Sequence, residues 1–322
     1  MRHRAILAIW LAIPAVAETQ PAAAPLDPVR AFVAEHAVGL DHPGLPTVRS
    51  LIRALATRDL FVHVERPVMA GWHRDPAART AWLARLERLS GRIAGLRATA
   101  GARLLEGGEA AELASAERAL HRMKRQDAAW REVYSAARPA DYPFVLSGRQ
   151  ALALGVLDGC TTVSRTFCLL ARSAGLEVRL VDAANLDELR RIWRPGRARG
   201  EGGVNGHKMA LVRAEGQWHL VNASHFAPHA EPPYEIFAAV DGRPVAPETL
   251  PGTVLRFPSM QVQARGRSPQ LVVTCVGLPE AEDLGEHSLE ANLNLAVSGD
   301  PASPLCRNPA LTGLLGAAGS GD

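Results

Sequence analysis

The chain has 322 residues, 47% of them hydrophobic and 21% charged, with a formal net charge of +3. That length suits one large domain or two modest ones at roughly 100–200 residues each, and so small a charge gives no footing for a nucleic-acid partner. Lys occurs only at positions 124 and 208, so the basic residues are almost all Arg.

The chain opens with Met1-Arg2-His3-Arg4, an apolar run over residues 5–13 and then Ala15-Val16-Ala17. A basic start, a short apolar stretch and a small-x-small site read as a secretory signal peptide over 1–17, cut after Ala17. The run is about half the length a membrane span needs. No later segment is long and apolar enough, so no stable membrane insertion is expected after cleavage, and the expected location is periplasmic or secreted. Losing Arg2 and Arg4 takes the charge to about +1.

Residues 18–28 form an Ala- and Pro-rich flexible leader, and 29–140 a mainly helical region. Long helices are predicted over 76–100, where Leu83, Leu86, Leu89, Ile93 and Leu96 recur at helical spacing, and over 109–137, and both are expected to pack against another element. The alternation in residues 59–65 predicts a strand. A core follows over 141–250, a β-rich extension over 251–307 with strands at 253–256, 261–265 and 270–277, and a poorly ordered tail over 308–322. The fold class expected is α+β.

Within the core, residues 159–175 carry Val163, Phe167, Leu170, Ala171 and Ala174 on one stripe, with Arg165 and Arg172 off it. This is an amphipathic helix closed by Gly175. Cys160 stands at its start, where unpaired amides and the macrodipole favour a thiolate, and Gly159 leaves room for a substrate backbone. Cys168 lies about 12 Å further along the axis, too far for a disulfide to Cys160, and reads as a buried core thiol. Cys275 and Cys306 share the C-terminal segment and can pair.

After a short strand over 177–182, residues 206–224 alternate on either side of Glu215-Gly216, a two-residue hairpin loop. Pairing Ala214 with Gln217 sets Met209 opposite Asn222 and makes His207 and Asn222 diagonal neighbours on one face. That face also carries Leu211, Leu220 and Trp218, and is expected to pack on the helix, leaving Lys208, His219 and Gln217 on the other. A one-residue slip would separate His207 from Asn222.

Gly159-Cys160 opening a helix that ends at Arg172-Ser173-Ala174-Gly175, then Gly206-His207 opening a strand, then Trp218 followed by Asn222, resemble the core of the transglutaminase-like, papain-like thiol superfamily. The likeness covers residues 147–226, about a quarter of the chain. It implies a Cys-bearing helix on an antiparallel sheet, and acyl transfer with Cys160 as nucleophile, His207 as general base and Asn222 as orienting residue. The Cys160 backbone N–H is the natural oxyanion donor, and no second donor is legible. The family's third residue is usually Asp. Asn222 can hold the imidazole but brings no negative charge.

Gly159, Trp193, Gly206 and Trp218 are the candidate substrate-binding residues. Arg190, Arg191, Arg194, Arg197 and Arg199 lie in an irregular stretch over 185–205 that can act as a flap beside the cleft. His225 and His229 are four apart, but Pro228 argues against a helix there, so neither metal nor cofactor is expected. The sequon Asn222-Ala223-Ser224 is set aside because Asn222 is assigned to the site. The function expected is hydrolysis of peptide or isopeptide bonds, or amine transfer by the same chemistry, on a protein or peptide substrate. The alternative is a catalytically silent binding module of the cell envelope.

Overall fold

The structure, a computed structural model, describes residues 27–57, 60–64, 66–137, 146–192, 206–223, 234–256, 270–277 and 313–314. The signal, the leader up to residue 26, the strand expected at 261–265, Cys306 and nearly all of the tail lie outside these, while the last two leader residues, Asp27 and Pro28, cap and open the first helix. Among the described residues no helix is long and apolar enough to cross a membrane.

The helices are α1 Pro28–His36, α2 Leu45–Ala56, α3 Arg66–Arg74, α4 Pro76–Ala102, α5 Gly107–Ala129, α6 Gly148–Leu154, α7 Cys160–Ser173 and α8 Leu186–Ile192, with a π-helical turn at Trp130–Tyr134. The strands are β1 Val62–His63, β2 Val156–Leu157, β3 Glu177–Asn185, β4 Gly206–Ala214, β5 Gln217–Asn222, β6 Glu235–Phe237, β7 Ala239–Val240, β8 Arg243–Pro244, β9 Val254–Leu255 and β10 Leu271–Gly277. Class and pairing are α+β, with a six-stranded antiparallel sheet in the order β6-β5-β4-β3-β10-β9.

Both faces of this sheet are buried. Val163, Phe167, Cys168, Leu170 and Ala171 of α7 pack with Val178 and Leu180 of β3, Ala210, Val212 and Ala214 of β4 and Val221 of β5, and α1 and α2 close the same core. Val181, Met209, Leu211 and Leu220 point the other way, onto Val245, Leu250 and Leu255. The sequence expectation is therefore corrected: α7 covers the face of Ala210, Val212 and Val221, not that of Leu211, Leu220 and Trp218. With apolar side chains on both faces, alternation alone gave no means of choosing which one takes the helix.

The helical region differs in similar detail. Of the apolar stripe expected to pack along α4, only Ile93 is buried. Its partner α5 gives way to the π-helical turn, whose Trp130 and Tyr134 are buried with Val62, Met69, Trp72 and Val156. Trp72 meets Trp82 and Trp130 edge-on, with centroids at 4.9 and 5.3 Å. The strand expected over 59–65 shrinks to β1, paired in parallel with β2. The irregular stretch begins instead with α8, capped by Asn185 Oδ1, which accepts from the Asp187 and Glu188 amides at 3.1 Å, and anchored by buried Leu186 and Leu189.

Candidate active site

The chain arrives at Cys160 through β2 and the pair Asp158-Gly159. Gly159 has φ +153° and ψ −175°, a region open essentially to Gly alone. This residue turns the strand into α7 and brings Cys160 in as the first helical residue. Asp158, buried, holds the turn: one carboxylate oxygen accepts from the Tyr134 hydroxyl of the π-helical turn, the other from the Thr162 hydroxyl in the first turn of α7. At its far end α7 closes in a Schellman motif, with Leu176 N–H on Ala171 O and Gly175 N–H on Arg172 O, both at 3.0 Å.

The hairpin has the register read from the sequence, with Ala214 opposite Gln217 across Glu215 and Gly216, whose φ values of +53° and +80° suit a tight primed turn. Residues flanking such a loop exchange both backbone hydrogen bonds, so Ala214, Val212, Ala210 and, by alternation, Lys208 aim N–H and C=O toward β5. Pairing with β5 stops at Ala210 and Val221. At Lys208 the freed pair goes to α7 instead: its N–H reaches the Cys160 sulfur, and its C=O accepts from Ser164 Oγ at 2.8 Å. Where the strands part, the first turn of the helix meets the backbone of the sheet.

His207, one residue earlier, is buried, as is Asn222. The His207 imidazole bonds Asn222 Oδ1 through Nε2 at 2.9 Å and hydrogen-bonds the Cys160 side chain as well, so Nδ1 is the nitrogen left for sulfur. Asn222 in turn donates from Nδ2 to Glu235 Oε2 at 2.9 Å, its cross-strand partner on β6. Cys160, half-buried, is thus the head of a hydrogen-bonded chain running through His207 and Asn222 to Glu235.

Burial pushes the Cys160 thiol up, but the hydrogen bond and charge of His207, then the Lys208 amide and ammonium, outweigh it and bring the thiol down to about 7. Burial pulls His207 down; its bonds to Cys160 and Asn222 and the charges of Cys160 and Glu235 leave it above the ordinary imidazole range. The two shifts have one cause, since a thiolate and an imidazolium stabilise each other. Lys208 itself is buried and paired with buried Asp182, its neighbour across β3. The Thr274 hydroxyl donates to the Asp182 carbonyl at 3.1 Å.

Of the other residues singled out from the sequence, Gly159 caps α7 and Gly206 opens β4, exposed. Trp218 lies four residues along β5 from Asn222, about 13 Å at strand rise, with the Arg179 guanidinium 5.7 Å from its ring. It stands apart from the cluster. Trp193, Arg194, Arg197, Arg199, Ser224, His225 and His229 fall outside the described residues. Cys275 carries a free thiol. Among the described residues no group of three or more His, Cys, Asp or Glu side chains is placed to hold a metal.

Three participants were missed in the sequence. Glu235 lies thirteen residues past Asn222 on a three-residue strand without a motif, and the Lys208 amide acts through backbone alone. Asp158 was legible only as a polar residue beside Gly159. Compared with protein-family models, curated proteins and solved structures, the chain matches none.

Proposed function

We propose that this protein is a cysteine-dependent acyl-transfer enzyme with a transglutaminase-like core, and that its principal reaction is hydrolysis of a peptide or isopeptide bond. The observation that carries the reading is the Cys160 thiol at a helix N-terminus, hydrogen-bonded to a buried His207 whose far nitrogen is held by Asn222. Thiol, base and orienting residue in hydrogen-bonded sequence are what nucleophilic catalysis needs.

The chemistry follows from those groups. His207 Nδ1 takes the thiol proton, and the thiolate adds to the substrate carbonyl carbon. The oxyanion formed lies against the first amides of α7, whose N–H groups have no partner within the helix. As the carbon–nitrogen bond breaks, the imidazolium gives its proton to the departing amine, leaving a thioester on Cys160. His207 then deprotonates a water that attacks the thioester; the carbon–sulfur bond breaks and the thiol is restored with release of the acid. An amine in place of that water would give crosslinking by the same steps.

The test is site-mapped labelling with iodoacetamide. Cys160 should label faster than Cys168 and Cys275, with an inflection near pH 7. Labelling of Cys160 no faster than in denatured protein would overturn the assignment.

A second reading, a binding module with a silent thiol, draws on α4 and α5, in which only Ile93, Ala116, Gln126 and Ala129 are buried. Their largely exposed surface is available to a partner. A Cys160→Ala strain with an unchanged phenotype, lost on deleting these helices, would favour it.

A further inference from the structure

Asn222 is the weak member of the site. A carboxylate in its place would stabilise the imidazolium by charge, whereas an amide offers a dipole and can sit either way round. Its position decides which nitrogen of His207 is the base. If Oδ1 faces the imidazole, Nε2 must carry the proton and Nδ1 has the lone pair for sulfur; if Nδ2 faces it, Nε2 must accept and Nδ1 carries the proton instead.

Glu235 settles that choice. An ionised carboxylate only accepts hydrogen bonds, so the Asn222 group 2.9 Å from Glu235 Oε2 has to be Nδ2, and Oδ1 is turned to His207. The contact is set by register rather than by a flexible reach, since Asn222 and Glu235 are direct partners across β5 and β6. Asn222 is buried and Glu235 behind it half-buried, so solvent screens the carboxylate only in part.

We propose that Glu235 is the positioning residue of this site: through Asn222 it selects the His207 tautomer whose free lone pair is on Nδ1, and its carboxylate supplies the negative charge the amide lacks. The inference rests on the acyl-transfer reading above. Among the described residues, the other charged or titratable groups around the dyad are Asp158 beside the start of α7, Lys208 on β4 paired with Asp182 on β3, and Cys275 opposite Asp182 on β10. Asp158 is bonded to two hydroxyls and the Lys208–Asp182 pair is neutral overall, so among the described residues Glu235 is the carboxylate connected to the imidazole through Asn222. Its charge favours imidazolium and, through it, the thiolate.

The experiment is the pH profile of Cys160 alkylation by iodoacetamide in the full chain, mapped by mass, for wild type, Glu235→Gln, Glu235→Asp and His207→Ala. Wild type should rise through about pH 7. Glu235→Gln removes the charge and permits the flipped amide, so its rise should move up by roughly half a unit to one unit, seen as about threefold to tenfold slower labelling at neutral pH. Glu235→Asp should fall between. If Glu235→Gln superimposes on wild type while His207→Ala moves up, the role of Glu235 is refuted and the dyad stands. If His207→Ala does not move either, the dyad itself is wrong and the proposal goes with it. Should Glu235→Gln fail to fold, Asn222→Asp/Glu235→Gln restores a charge one residue nearer the ring: a rise near that of wild type supports the proposal, and one as high as that of His207→Ala overturns it.

Discussion

Cys160 and Cys168 lie on the same face-forming helix, both against β strands, and burial pushes both thiols up. One nevertheless comes down to about 7 while the other is held up at about 12. That difference is on the order of 10⁵ in readiness to ionise at a given pH. Cys168 donates weakly to Arg179 O at 3.8 Å and is otherwise among Val163, Phe167 and Leu170. Cys160 meets an imidazole and an amide N–H. The lesson is that partners rather than burial decide which thiol is reactive, and the first turn of a helix is where partners can reach.

The comparison breaks most completely at His207. Without the imidazole, Cys160 keeps only the Lys208 amide and ammonium, and its thiol should return toward the ordinary value near 8.5. Hydrolysis of a p-nitrophenyl ester by His207→Ala should fall by roughly 10²–10⁴-fold. The sign is fixed by the direction of the shift: a thiol depressed to about 7 is ionised above that pH, so wild-type activity should rise as pH climbs through 7 and fall once His207 loses its proton.

Below the site, Asp182→Asn should strip the buried Lys208 ammonium of its counter-charge and destabilise the fold by about 3–5 kcal/mol, read by urea unfolding. A change under 1 kcal/mol would mean that Lys208 finds water or another partner.

Gly159→Ala forces a side chain into a conformation with φ +153°. About 1–3 kcal/mol of strain follows, and because Asp158 and Thr162 pin the turn on either side, Cys160 should be displaced and its labelling slowed. Unchanged labelling and melting would show that the turn relaxes freely. The smallest effect is expected at the other end of the comparison: Cys168→Ala should cost about 1 kcal/mol of stability and leave the Cys160 profile where it was.

Local chemistry was legible where it depends on neighbours in the chain. Residues 159–175 announce an amphipathic helix closed by Gly175, and Glu215-Gly216 with its alternating flanks sets the register as far as Ala210 and Val221, beyond which His207 meets Asn222 at 2.9 Å. The face of the sheet was read the wrong way round because both faces are apolar. The packing expected of α4 is met by α5, which lies against it, but apart from Ile93 the stripe is half-buried, because helical spacing alone does not say how much of a stripe a single neighbouring helix covers.

By itself the sequence determined the helix that begins at Cys160, the hairpin register and the residue types able to do nucleophilic chemistry, because each follows from spacings of a few residues and from backbone rules acting locally. Only the tertiary structure decided that β5 leaves β4 at Ala210, that the backbone of Lys208 therefore turns to α7, and that Glu235 stands behind Asn222. Those contacts join chain segments whose approach is set by packing across two buried faces, and packing has no signature in any single stretch of residues.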